Sequence, residues 1–267
     1  MHRSHPLNRQ ALSVWRLLKL FFIESFFILV SSGACTIALI AALTPMAAQA
    51  RLLDLPDHRK KHAAPTPSVG GIAIYLTVLI FVLSIVPSNM IFLSVFSVGL
   101  LVIVGMVDDA VGLGVRFRLF AQVFVSVLML VGSSIWVRSF GFPGNLGIDH
   151  VPSWFGISFT ILALVGLTNG FNMVDGIDGL ASGHALIGLI TLTGTLSFIS
   201  NVGTDNTALI ILMGAVFGFL LVNLSLTPLK NVFLGDAGAS SLGFAIGCIL
   251  IYYSQEPVGL IHPVAAL

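Results

Sequence analysis

Four short polar segments interrupt an otherwise apolar chain, and each carries side chains suited to phosphate or to a divalent cation. The first reads Asp54-Leu-Pro-Asp57-His58-Arg59-Lys60-Lys61-His62 and is followed by Pro65-Thr66-Pro67-Ser68-Val69-Gly70-Gly71. Its consecutive cationic or potentially cationic side chains can hold phosphates or lipid headgroups. The alternative is a loop whose charge only sets membrane orientation. The Pro-Thr-Pro and Gly-Gly that follow favour a shaped turn with close backbone approach. The second segment ends an apolar run with Gly105-Met106-Val107-Asp108-Asp109. Adjacent carboxylates repel unless a cation or a shared proton relieves them. A bound Mg²⁺, Arg116 or Arg118 would do so, and one of the pair could serve as a base toward a phosphate acceptor. The plain alternative is a solvated helix terminus.

The third segment is Asn169-Gly170-Phe171-Asn172-Met173-Val174-Asp175-Gly176-Ile177-Asp178-Gly179-Leu180. Asn169, Asn172 and Asp175 are spaced by three, which places them on one side of a helix. Gly-Ile-Asp-Gly then breaks that helix and exposes backbone. The alternate oxygen ligands and late glutamate of a calcium loop are missing. The fourth is Asn231-Val232-Phe233-Leu234-Gly235-Asp236-Ala237-Gly238-Ala239-Ser240-Ser241. Asp236 stands at a helix start, where a carboxylate and open N–H groups could receive a metal-bound phosphate. An ordinary N-cap is the alternative.

The elements that must position these segments are membrane helices. Of 267 residues, 57% are hydrophobic and 9% charged, with a mean hydropathy of +1.04. Globular domains carry about 25% charged residues. Hydropathy places spans at 21–44, 70–86, 90–107, 119–137, 154–171, 183–199, 207–226 and 240–253, with a ninth beginning near Leu260. The runs are continuously apolar rather than alternating, so the fold class is all-α: a polytopic transmembrane bundle. It forms one domain over 21–267, preceded by a basic tail over 1–20 that carries Arg3, Arg9, Arg16 and Lys19. Cys35 and Cys248 lie inside apolar runs and form no disulfide framework. A net charge of +1 gives no reason to expect a nucleic-acid partner.

Alternation of the spans sends every polar segment to the same side. Seven of the eleven acidic residues gather there: Asp54, Asp57, Asp108, Asp109, Asp175, Asp178 and Asp236. The loops of that side also hold Arg51, Arg59, Lys60, Lys61, Arg116, Arg118 and Lys230, against Arg138 in the opposite loops. Lys and Arg favour the cytoplasm, so this side is expected to be cytoplasmic. The N-terminal tail, outside by parity, opposes that assignment with its four positive charges.

Together the four segments resemble those of the polyprenyl-phosphate N-acetylhexosamine-1-phosphate transferases, glycosyltransferase family 4. The likeness runs from about Leu53 onward, and the Met-Val-Asp-Gly-Ile-Asp and Gly-Asp-Ala-Gly wording is similar to the WecA/TagO branch. The resemblance implies transfer of a sugar-1-phosphate, most simply GlcNAc-1-phosphate, from a UDP-N-acetylhexosamine to undecaprenyl phosphate, with release of UMP. It implies Mg²⁺, with Mn²⁺ as an alternative ion, and a site on the cytoplasmic face of a bacterial inner membrane. Carried over by position, Asn172 and Asp236 are the metal ligands. Asp108 and Asp109 lie near the lipid phosphate, one of them as base, with Asp175 also in the catalytic set. Gly176 and Asp178 match the segment that contacts the uridine, and Arg118 a basic position facing phosphate. His58, Arg59, Lys60 and His62 lie near both substrates, and Asn169 is assigned to substrate binding.

Family members continue for further spans with a histidine-rich loop, whereas this sequence stops at Val264-Ala265-Ala266-Leu267. The resemblance therefore implies a C-terminally truncated member with little or no turnover by itself. Competing readings are a muramyl-pentapeptide or O-antigen substrate, a non-catalytic remnant, and a transporter. A transporter is expected to hold its ionisable groups near the bilayer midplane on broken helices; here they gather at one interface. The sequence leaves the sugar and the oligomeric state open.

Overall fold

A computed structural model describes residues 6–54, 65–85, 89–141, 151–199, 206–255, 261 and 263. Among them are eight α-helices: α1 (Pro6–Leu43), α2 (Gly70–Ile85), α3 (Asn89–Val111), α4 (Val115–Ser133), α5 (Ser153–Val174), α6 (Leu180–Ile199), α7 (Thr207–Asn223) and α8 (Gly235–Ser254). Six are long and apolar enough to cross a membrane. The other two, α2 and α7, are equally apolar but have 16 and 17 residues, somewhat under the length of about 20 that spans the hydrocarbon core. From Pro6 onward the basic N-terminal segment is helical and continuous with the first apolar stretch. Most of the stretch expected to begin a ninth span lies outside the described residues.

Several helices run past the ends that hydropathy suggests. The third continues to Val111 and so includes Asp108 and Asp109; the fourth begins at Val115 and includes Arg116 and Arg118; the eighth begins at Gly235. Hydropathy stops at the first charges. A helix does not have to, because its backbone bonds are internal and the charges find partners on neighbouring helices.

Small residues set the helix spacing. Lipid supplies no hydrophobic drive between helices, so close backbone approach and dispersion carry the packing. The central helix α8 packs on α2, α3 and α5. A methyl group on Gly71 of α2 would lie 2.1 Å from the Cα of Gly238, and one on Gly105 of α3 2.4 Å from the Cα of Ala237. A second group joins α7 to α1, α2 and α6, where a methyl on Gly218 would lie 2.3 Å from the Gly33 carbonyl oxygen. Phe219 and Phe244 are wholly buried in these two packings.

One feature departs from an all-α description. Two-residue strands, β1 (Leu53–Asp54) and β2 (Thr66–Pro67), pair antiparallel with Leu53 opposite Pro67 and Asp54 opposite Thr66. The ladder closes the base of the loop that carries the basic cluster. Phe233 N–H donates to the Pro67 carbonyl at 2.8 Å, and the Gly70 and Gly71 N–H groups donate to the Phe233 and Leu234 carbonyls at 3.0 and 2.9 Å. The base of the basic loop is thereby bonded to the segment that leads into α8.

Candidate active site

The chain connections put the ends of α1, α3, α5 and α7 and the starts of α2, α4, α6 and α8 at one end of the bundle. The site is built there from α3, α4, α5 and α8.

Asp108 and Asp109, adjacent in sequence, do different things. The Asp108 side chain is 5% exposed and both of its oxygens are engaged. Oδ1 accepts the Leu113 N–H at 2.6 Å and Oδ2 accepts from Arg118 Nη1 at 2.9 Å. This carboxylate therefore ties the end of α3 to the start of α4 across the Gly112-Leu113-Gly114 turn. Asp109 turns toward α8 instead. Its Oδ1 accepts the Asp236 N–H at 3.0 Å and its Oδ2 the Ala237 N–H at 3.4 Å. Those are donors of a first helical turn that has no side-chain cap of its own. The preceding residue must be glycine. Gly235 has a φ of +74°, and a β-carbon there would lie 2.7 Å from Asp109 Oδ2.

Asp236, in the first turn of α8, has its Oδ2 3.8 Å from Arg118 Nη1. Arg118 thus lies between Asp108 and Asp236, closer to the former. Asp175 caps the C-terminal end of α5. Burial first, and then the neighbouring carboxylates of Asp236, Asp109 and Asp178, together push its carboxyl up to about 7. That repulsion shows several acidic groups sharing one region with a single arginine paired to them among the described residues. Asp178 and Gly176 are exposed on the 175–179 turn, and a side chain at Gly176 would meet nothing within 4 Å.

The two asparagines expected on one face of α5 reach different neighbours. Asn172 faces Ser240 of α8: its Nδ2 lies 3.0 Å and its Oδ1 3.3 Å from the serine Oγ. Asn169, one turn deeper, faces Gln122 of α4. Its Nδ2 donates to Gln122 Oε1 at 2.7 Å and to the Val165 carbonyl at 2.8 Å, and its Oδ1 is 3.5 Å from Gln122 Nε2. Both amide hydrogens of Asn169 are therefore engaged within the bundle. Gln122, Ser240 and the special conformation of Gly235 do not emerge from the motif reading. Gln122 was visible as a lone amide in an apolar run, and Ser240 as the residue one turn after Asp236 on the same face.

His58, Arg59, Lys60 and His62 lie outside the described residues; the ladder at 53–54 and 66–67 shows only where their loop is anchored. Among the described residues no group of three His, Cys, Asp or Glu side chains is arranged as a ready metal cage. The donor chemistry nevertheless suits Mg²⁺. Asp175, Asp236 and the Asn172 amide offer hard oxygen donors, and the mutual repulsion recorded at Asp175 is what a bound cation would relieve.

The fold and site define a multi-pass membrane protein with a carboxylate-rich centre at one end of its bundle. The signature of glycosyl transferase family 4 matches residues 90–254. The chain belongs to that family. It is 34% identical over 222 residues to the undecaprenyl-phosphate alpha-N-acetylglucosaminyl 1-phosphate transferase of Yersinia pestis, covering 81% of this chain and 59% of that protein. It is 32% identical over 225 residues, with the same coverage, to the enzyme of that name from Escherichia coli K12. Identity is 29% over 220 residues, 80% of this chain and 60% of the relative, to the probable undecaprenyl-phosphate N-acetylglucosaminyl 1-phosphate transferase of Bacillus subtilis. The chain thus spans about three-fifths of the length of these relatives.

Proposed function

We propose that the protein transfers N-acetylhexosamine-1-phosphate, specifically GlcNAc-1-phosphate, from a UDP-sugar to undecaprenyl phosphate and so initiates a cell-envelope glycan. The observation that carries this reading is the gathering of Asp108, Asp109, Asp175, Asp236 and Arg118 at one end of an apolar bundle. An acceptor whose tail stays in lipid needs its phosphate met at the interface, where these groups stand. The names of the relatives support the choice of acceptor and sugar.

In the proposed reaction an oxygen of the lipid phosphate attacks the sugar-bearing phosphorus of the UDP-sugar. A new P–O bond completes a lipid-linked pyrophosphate, the bond to the bridging oxygen breaks, and UMP leaves with its electron pair. The obstacle is repulsion between anions, which positioning and charge neutralisation reduce. Asp236, Asn172 and Asp175 would hold Mg²⁺ or Mn²⁺, which supplies charge neutralisation at the phosphates when bound. Asp109 is the better base of the adjacent pair. Its Oδ2 makes only a 3.4 Å contact, whereas both Asp108 oxygens are bonded at 2.9 Å or less. Arg118 pairs with Asp108 and faces the acceptor phosphate from α4. Asn169 holds the site end of α5 against α4, while Gly176 and Asp178 on the open turn receive the uridine. The basic loop with His58, Arg59, Lys60 and His62 contributes to binding both anionic substrates.

In the membrane, α2 and α7 cross with the six longer helices to make eight spans, tilted neighbours compensating their length. The site faces the cytoplasm of a bacterial inner membrane, supported by Arg51, Arg116, Arg118 and Lys230 on that side. The test is release of UMP from a panel of UDP-sugars by the protein at its full natural length, in detergent with undecaprenyl phosphate. GlcNAc-dependent release that chelation abolishes and Mg²⁺ restores is the expected result. Release that needs no acceptor lipid, or no divalent ion, overturns the assignment.

A further inference from the structure

We infer that Asp108 is a positioning residue: it acts through Arg118, whose guanidinium it holds beside Asp236, rather than on either substrate. This inference rests on the metal and acceptor placement proposed above. Asp108 closes the end of α3 with both its backbone and its side chain. Its carbonyl accepts the Gly112 N–H at 2.8 Å, and its Oδ1 accepts the Leu113 N–H at 2.6 Å. Gly112 has a φ of +69°, the left-handed conformation with which glycine commonly ends a helix. The chain then enters α4, whose first turn carries Arg118; the Arg118 N–H donates to the Gly114 carbonyl at 3.2 Å. One short turn thus sets the backbone of both partners, and Asp108 Oδ2 meets Arg118 Nη1 across it at 2.9 Å.

The same Nη1 stands 3.8 Å from Asp236 Oδ2. Burial decides which carboxylate holds the arginine. The Asp108 side chain is 5% exposed and that of Asp236 41%, so Asp108 is the fixed partner and Asp236 the open one. A charge-assisted bond to an enclosed carboxylate is short and strong, whereas a looser pair at an open position contributes little. A base must lie within hydrogen-bond reach of the group it deprotonates, and both Asp108 oxygens are enclosed and already bonded. Arg118, 34% exposed, can be reached by an anion. A phosphate bound to a cation at Asp236 comes within reach of that guanidinium while Asp108 keeps it there. Without the carboxylate, the long arginine side chain recovers its rotamer freedom and turns to solvent.

The experiment is a double-mutant cycle on UMP release by the protein at its full natural length in detergent, with undecaprenyl phosphate as the varied substrate. Wild type, Asp108→Asn, Arg118→Ala and the double variant are compared, with the thermal midpoint of each recorded alongside. Asparagine keeps the volume of Asp108 and leaves behind a partly exposed arginine that water can solvate. Asp108→Asn is expected to raise KM for undecaprenyl phosphate about tenfold, the scale of one lost hydrogen bond to a charged group, and to leave kcat within about threefold of wild type, as a loss of binding does. Arg118→Ala should show a similar rise, and the double variant no more than Arg118→Ala alone. An unchanged KM in Asp108→Asn overturns the positioning role. Losses that multiply in the double variant, or a kcat fall of about a hundredfold in Asp108→Asn, also overturn it, because Asp108 then acts on substrate by itself. If Asp108→Asn does not fold, the double variant, which strands neither partner, is read against Arg118→Ala: an equal or lower KM supports the role and a further rise overturns it. UMP release that needs no undecaprenyl phosphate in the wild type removes the acceptor placement, and the positioning role falls with it.

Discussion

Helix α8 begins and ends among polar groups, and the two ends are built on opposite principles. At its C-terminal end Gln255 is 4% exposed. Its Oε1 accepts the Arg138 and Ser139 N–H groups at 2.9 and 3.2 Å, and its Nε2 donates to the Ser139 carbonyl at 3.2 Å. Arg138 lies 4.4 Å over the Trp136 ring and donates to the Ser134 carbonyl at 2.9 Å. The Gln255 amide satisfies backbone groups there, and Arg138 rests on an aromatic face. At the N-terminal end of α8, Asp109, Asp175 and Asp236 crowd together with Arg118 reaching only Asp108 and Asp236. The far end pins the start of a loop through the Gln255 amide. Among the described residues the site end gathers Asp108, Asp109, Asp175 and Asp236 around Arg118, so like groups repel one another there.

Variants at the two ends should therefore separate activity from stability. The largest effect is expected from Asp236→Ala, which should lower metal-dependent UMP release at least about a hundredfold, the scale for losing one charge-stabilising group. Its thermal midpoint should change little, since the loss of its 3.8 Å pairing with Arg118 is set against relieved repulsion at Asp109 and Asp175. A variant that keeps its rate would end the contrast. Arg118→Ala should destabilise the protein by about 2 kcal/mol. It strands the buried Asp108 carboxylate, though the arginine's 34% exposure softens the loss. Denaturation in detergent would measure this, and a drop in activity should accompany it. Gln255→Ala should cost about 1–2 kcal/mol by leaving the Arg138 and Ser139 backbone groups unbonded, yet keep kcat within about twofold of wild type. A large kcat loss would mean that the two ends are coupled. The smallest effect belongs to Asp175→Asn. It should raise the unfolding free energy of the metal-free protein slightly, by about 0.5 kcal/mol, through lost repulsion. The same substitution should suppress turnover.

The site end of this contrast was legible in the sequence, and the far end was not. Mean hydropathy and the continuous apolar runs pointed to membrane helices, because a spanning backbone must satisfy its own hydrogen bonds. The segments around Asp108, Asn172 and Asp236 announced themselves as polar interruptions at span ends. Helix limits were less legible, because charges at an interface stop a hydropathy window without stopping a helix. The pair of two-residue strands was invisible, since two bonded residues leave no periodicity.

The residue types that could bind phosphate and metal, and the side of the bundle to which they go, were determined by the sequence alone. Alternation of spans is a counting property, and a carboxylate keeps its chemistry wherever it stands. What each residue does with a neighbour was decided by the tertiary structure. Asp108 and Asp109 are equivalent as letters, yet one binds Arg118 and the other the first turn of α8, 127 residues away from its own position. Asn169 and Asn172 share a spacing but meet Gln122 and Ser240 on different helices. The physical reason is that hydrogen bonds and repulsion act over a few ångströms. Glycine-lined contacts such as Gly71 with Gly238 set those separations, and no local pattern encodes them.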